Sequence, residues 1–276
     1  MDGVEMKAQV RAHWEQETCG TRYAETADRR RYFAEISEAR YRLEPYIPGF
    51  ADFPRARGRR VLEIGVGAGA DFVQWCQCAD HTSGVDLTDA AVQLTGERLT
   101  LAGLDPGAYD LQVADAESLP FPDGSFDLVY SWGVLHHTPN TVAAFSEAAR
   151  VLRPGGEFRG MIYHVPSWTG WLLAGELMVR RRTLRFSPRR AMAELLESPG
   201  TKAYSLSEAR SLLSDAGFTD CTVAAKLAPG DLLTVRPGAR YQGRIMRVLW
   251  RLYPRPLVRL LGDRFGTNLL ITARRA

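Results

Sequence analysis

Val61-Leu62-Glu63-Ile64-Gly65-Val66-Gly67-Ala68-Gly69-Ala70-Asp71-Phe72 is the stretch that decides how this chain is read. A short apolar strand carrying one acid runs into three alternating glycines, and a helical segment follows. Glycine tolerates positive φ and, lacking a side chain, lets backbone approach a ligand closely. Seventeen residues beyond Gly69 stands Asp86, at the end of a second short strand, Gly84-Val85-Asp86-Leu87. Together these segments imply a nucleoside pocket at the carboxyl edge of a parallel sheet, with Asp86 placed to accept from ribose hydroxyls. Gly65, Gly67 and Ala70 also satisfy the looser dinucleotide fingerprint, so the glycines alone leave two kinds of nucleotide site open.

The segments that follow break the tie. Ala114-Asp115-Ala116-Glu117-Ser118-Leu119-Pro120-Phe121 comes after a third strand. Phe126-Asp127-Leu128-Val129-Tyr130-Ser131 reads as a fourth and runs into Trp132-Gly133-Val134-Leu135-His136-His137-Thr138-Pro139. A helix then ends at Arg150-Val151-Leu152-Arg153-Pro154-Gly155-Gly156, before a fifth strand from Glu157 to Tyr163. This set resembles the class I S-adenosylmethionine-dependent methyltransferases, in particular their ubiquinone/menaquinone-biosynthesis-like branch, closely over residues 58–163 and weakly elsewhere. The resemblance implies S-adenosylmethionine as methyl donor. It implies that Glu63, Gly65, Gly67 and Gly69 shape the cofactor loop and that Leu87 packs beside the adenine. Asp115 and Ala116 would meet the adenine, and Ser131 and Trp132 the methionine part and the acceptor. Tyr23, in an N-terminal cap, would reach the cofactor carboxylate.

His136 and His137 are adjacent, so one can face the site while the other packs. A histidine there suits a general base because it titrates near working pH. Oxygen or nitrogen acceptors call for such a base. A carbon acceptor calls instead for aromatic walls, for which Trp14, Tyr23 and Trp132 are available. The sequence does not decide between them. Aromatic and leucine-rich additions around the motifs suit a small, largely apolar acceptor of natural-product or quinone-like type. A nicotinamide oxidoreductase would want a second nucleotide-binding half or a Tyr–Lys pair, and lysines number only three: Lys7, Lys202 and Lys226. A nucleic-acid or RNA-associated methyltransferase, or a non-catalytic cofactor-binding module, is the other alternative. Nucleic-acid methylation lacks an aromatic-basic motif and an Asn-Pro-Pro-Tyr-like acceptor sequence, and only the arginine-rich insertions speak for it.

The chain's 276 residues, 45% apolar and 24% charged, describe an ordinary globular protein. A net charge of +3 is too small to require a polyanionic partner, so no nucleic acid is expected. Met1-Asp2-Gly3-Val4-Glu5 lacks a signal-peptide pattern, and no apolar run approaches the ~18 residues of a membrane span. A cytoplasmic location is therefore expected. Cys19, Cys76, Cys78 and Cys221 form no disulfide framework, and no metal site is expected.

Strands alternating with helices predict an α/β fold: a doubly wound, seven-stranded, mostly parallel sheet with an N-terminal helical cap and two insertions. The division expected is a cap over 1–56, a cofactor-binding core over 57–163 and a substrate-side insertion over 164–204. The rest of the sheet would follow over 205–276, interrupted near 229–265. In this last part Ser205-Leu206-Ser207-Glu208 reads as a helix start. The basic amphipathic run Arg240–Tyr253 would line a substrate entrance, touch a membrane surface or cover the core. A homo-oligomer formed through the cap stays open.

Overall fold

The computed structural model describes residues 3–198, 200–234, 251 and 253–276. Strand β1 (Arg60–Ile64) is buried from Val61 onward, as an apolar strand covered on both faces must be. It pairs in parallel with β2 (His81–Asp86) on one side and β4 (Phe126–Trp132) on the other. β3 (Tyr109–Val113) lies outside β2, and β5 (Leu152–His164) lies beyond β4. Helices α4 (Ala70–Cys78), α5 (Asp89–Ala102) and α6 (Thr141–Val151) make the crossovers. The sheet is completed by β8 (Asn268–Arg275) and β7 (Phe218–Lys226), both antiparallel to their neighbours, in the order β3-β2-β1-β4-β5-β8-β7. The chain winds outward from β1 to β3 and then returns to the other side at β4. That reversal opens a crevice past the carboxyl ends of β1 and β4, where ligands of such sheets bind.

Seven strands form this path, but the sheet has eight where seven are expected. The eighth, β6 (Ala203–Tyr204), pairs with the end of β5 inside the segment read as an insertion. β5 also starts at Leu152, earlier than the Arg153-Pro154-Gly155-Gly156 turn signal suggests, with a register shift opposite Phe126–Leu128. Helix α9 (Leu206–Asp215) begins in the expected capping box, Ser205 and Glu208 each bonding the other's backbone N–H. The Arg240–Tyr253 run falls almost entirely outside the described residues.

One face of the sheet buries Leu62, Phe126, Phe145 and Phe158. On the other, Trp75 packs between Phe53 (4.5 Å) and Tyr130 (5.2 Å). Each such side chain contributes roughly 1.5–3 kcal/mol by leaving water. Helices α1 (Gly3–Gln16), α2 (Arg29–Leu43) and α3 (Ile47–Ala51) precede the sheet. α2 is fixed by buried polar bonds. Arg40 grips the buried Asp71 of α4 through two nitrogens, and Asp71 also accepts from Tyr41 (3.1 Å) and Tyr130 (2.9 Å). Arg98 of α5 donates to Phe33 O (3.1 Å), Ala68 O (2.8 Å) and Ser37. α1 joins α2 through Gly20, whose φ of +92° is in the left-handed region that favours glycine.

Candidate functional site

The crevice holds a cavity of about 680 Å³, running from Asp86 and Asp115 to Glu197. Its floor is the loop after β1. Gly65 has φ +85°, and a Cβ there would stand 2.1 Å from the Val134 side chain, so no larger residue fits. The Gly67 N–H donates to Asp86 Oδ2 (3.0 Å), while Asp86 Oδ1 accepts from the Thr88 N–H (3.1 Å) and hydroxyl (2.8 Å). Burial pushes the Asp86 carboxyl up from its ordinary value, and the bonds from Gly67 and Thr88 oppose that shift. A carboxylate offers about four lone-pair sites and three are taken here, so Asp86 keeps room for one ligand hydroxyl. Glu63 is buried on the same wall with Oε2 lacking a hydrogen-bond partner among the described residues. Burial, and after it the negative charge of Asp71, holds Glu63 well above the usual carboxylate range.

These features fit S-adenosylmethionine. An orphaned carboxylate oxygen at the wall matches the ammonium of the methionyl part, and Asp86 matches the ribose. Leu87, Asp115 and Ala116, expected beside the adenine, line the cavity near Asp86. Asp115 is already engaged: Lys7 of α1 reaches both Asp115 (2.5 Å) and Glu117 (2.7 Å). This pair latches α1 over the crevice. Exposed pairs are worth ~0.2–1 kcal/mol, so Lys7→Ala is expected to speed S-adenosylhomocysteine release up to about fivefold in stopped-flow measurements. An unchanged release rate would mean that α1 is not held here.

Two residues of the expected cofactor set, Gly69 and Ser131, do not line the cavity. Gly69 starts α4 in the left-handed region, and a Cβ there would stand 2.9 Å from the Thr95 side chain. The Ser131 hydroxyl donates to Ile64 O (3.0 Å), tying β4 to β1 behind the wall. Trp132 does line the cavity, and its indole N–H donates to Glu44 (3.1 Å). Tyr23 lines it too, its hydroxyl accepting from Arg22 (2.9 Å).

The far end of the cavity is built around a short turn, Leu135–His137. His137 faces the cavity. Its Nδ1 lies 2.8 Å from Ser198 Oγ and 3.1 Å from Thr201 Oγ1, and Trp14 packs edge-on against the ring. Its Nε2 lies 3.3 Å from Glu197 Oε2. Glu197 also bonds the Tyr163 hydroxyl, and its side chain is 34% exposed because it opens onto the cavity. Crowding around Glu197 acts to raise its pKa. His137 and the Tyr163 hydroxyl outweigh it, and the carboxyl is held below its ordinary value. His136 is 0% exposed, packs its ring 4.2 Å from that of Tyr163, and has neither ring nitrogen hydrogen-bonded among the described residues. Burial, with lesser effects from His137 and Lys202, drives it well below the ordinary histidine range, so it is a neutral imidazole behind the wall. One donor atom each of His136, His137 and Glu197 lies within 4.8 Å of the others, a set able to take a metal ion. Glu197, Ser198, Thr201 and Lys7 carry no motif, and sequence reading missed them.

Residues 62–159 match a family model described as a methyltransferase domain. The 27-O-demethylrifamycin SV methyltransferase of Amycolatopsis mediterranei is 35% identical over 139 residues, 50% of each chain. A fatty-acid O-methyltransferase of Mycolicibacterium smegmatis is 33% identical over 148 residues, 51% of this chain and 52% of that one. This chain thus spans about half the length of these curated relatives. The crystal structure of geranyl diphosphate C-methyltransferase from Streptomyces coelicolor A3(2) superposes with a TM-score of 0.64 at 15% identity, covering 98% of both chains. The matched span and the relatives agree: residues 62–159 form a class I S-adenosylmethionine-dependent methyltransferase domain.

Proposed function

We propose that the protein transfers the methyl group of S-adenosylmethionine to an oxygen of a small, largely apolar acceptor bearing a hydroxyl or carboxyl group. The observation that carries this reading is His137, on the cavity wall beside an ionised Glu197. When bound, S-adenosylmethionine supplies a methyl carbon already activated by the positive sulfur. The chain's residues then align, dry and deprotonate. Asp86 and the Gly65–Gly67 backbone orient the donor, and orientation of this kind is worth on the order of 7–11 kcal/mol in intramolecular models. α1 covers the crevice with Lys7 at one end and Trp14 at the other, which excludes water. Ser198 and Thr201 fix the ring of His137, whose Nε2 is buried against Glu197, so the acceptor proton reaches Nε2 through the cavity-facing Glu197 carboxylate, which then stabilises the imidazolium. Trp14, Trp132 and Tyr163 give the cavity an apolar lining suited to the acceptor body. The 27-O-demethylrifamycin and fatty-acid O-methyltransferase relatives support oxygen as the receiving atom.

Methyl-labelled S-adenosylmethionine tests this with a panel of fatty acids, phenols and prenyl compounds. Label is expected on a carboxyl or hydroxyl oxygen. Label only on carbon, undiminished in His137→Ala, would overturn the oxygen assignment. S-adenosylhomocysteine is expected to raise the Tm by mass action, adding about 2.7 kcal/mol at a hundredfold excess over Kd. A shift with a nicotinamide dinucleotide and none with S-adenosylhomocysteine would overturn the cofactor assignment.

A further inference from the structure

Helices α7 (Trp168–Arg181) and α8 (Pro188–Leu195) pack as a hairpin. The start of α7 (Thr169) and the end of α8 (Leu195) line the cavity, so the connecting tip points away from it, about 20 Å off at 1.5 Å per residue. This tip combines two properties. Val179, Leu184 and Phe186 are 79%, 94% and 54% exposed, an unusual grouping for eight residues of surface. Six arginines surround them, Arg180, Arg181, Arg182, Arg185, Arg189 and Arg190, and no acid occurs between Glu176 and Glu194.

Four of these arginines are answered by carboxylates: Arg180 by Glu176, Arg181 and Arg190 by Glu194, and Arg189 by Glu208. Arg182 and Arg185 are exposed and have no ion-pair partner among the described residues. They flank Leu184, and Arg185 separates it from Phe186. We propose that this hairpin tip docks on an anionic lipid bilayer, with Leu184 and Phe186 entering the interface and Arg182 and Arg185 meeting lipid phosphates. The chemistry is complementary in both parts. Guanidinium forks bond phosphate oxygens in pairs, and apolar side chains beside them enter the headgroup boundary while arginine stems snorkel. The α7–α8 hairpin then holds the methyltransferase cavity at a membrane surface, where apolar compounds accumulate. The docking does not depend on methyl transfer and can be measured without it.

The test is co-sedimentation of the full chain with vesicles of phosphatidylcholine alone and with about a third phosphatidylglycerol. Binding is expected to the anionic vesicles only, and to weaken with salt. Arg182→Glu/Arg185→Glu and Leu184→Asp/Phe186→Asp are each expected to lower the partition coefficient at least tenfold, since each basic residue at such a surface is worth about fivefold (~1 kcal/mol). An unchanged Tm in both variants would show the fold intact, as expected for changes at an exposed tip. Leu184→Ser/Phe186→Ser gives the milder readout should either Tm fall. Failure of the wild-type protein to sediment with anionic vesicles would overturn the proposal. So would equal sedimentation of the intact variants, or a tip that self-associates in ultracentrifugation without binding vesicles.

Discussion

Asp86→Ala is expected to raise the Kd for S-adenosylhomocysteine about ten- to a hundredfold while leaving the fold in place. A ribose hydroxyl donating to an ionised carboxylate contributes roughly 1.5–3 kcal/mol. The variant also frees the Gly67 N–H and the Thr88 side chain that Asp86 holds, so the glycine loop loses its register with the second strand. Titration calorimetry reads the affinity and thermal melting reads the fold. A wild-type Kd in a folded variant would show that the nucleoside does not sit on Asp86. The effect carries a pH signature. Burial raises the pKa of Asp86 above its ordinary value, and only the ionised form has the lone pair free for the ribose hydroxyl besides its three protein donors. Affinity is therefore full above that raised pKa and falls as pH drops through it. Asp86→Asn should be weak at every pH.

His137→Ala is expected to lower kcat by about 10²–10⁴, the usual loss when a general base is removed. Affinity for S-adenosylhomocysteine should stay the same. Glu197→Gln should cost at least as much, because the carboxylate through which the proton reaches the buried Nε2 is lost. Added imidazole should restore part of the His137→Ala rate, which a purely structural role would not allow. Chelators should leave the wild-type rate unchanged. Loss of that rate on chelation and its return with Zn²⁺ would reassign His136, His137 and Glu197 as metal ligands. A near-wild-type rate in His137→Ala would remove proton abstraction by this ring from the mechanism.

The legible part of this site is the part set by local backbone chemistry. Gly65 is forced by its own φ and by Val134 against it, and Asp86 is forced by a strand end at a topological switch. Gly69 and Ser131 belong to the same motifs, yet neither lines the cavity. A motif fixes spacing without fixing which side chains reach the cavity. Two adjacent histidines are equivalent as sequence. The turn at 135–137 turns one to the cavity and buries the other. Glu197 was out of reach because its partner is sixty residues earlier and meets it only after the α7–α8 hairpin folds back. A two-residue strand such as β6 has no periodicity to detect, since the end of β5 defines it.

The contrast between α1 and α2 sets which part of the cap opens. α2 is bolted through buried partners, Arg40 with Asp71 and Arg98 with three acceptors, and breaking a buried pair costs about 3–5 kcal/mol. α1 is held at its rim by Lys7 and by Arg11 on Asp89, both open to water and to salt. With Gly20 as the pivot, α1 is the door and α2 the frame. Rising ionic strength then slackens the catch on that door, shortening the time for which a bound ligand is retained while the frame around it stays rigid.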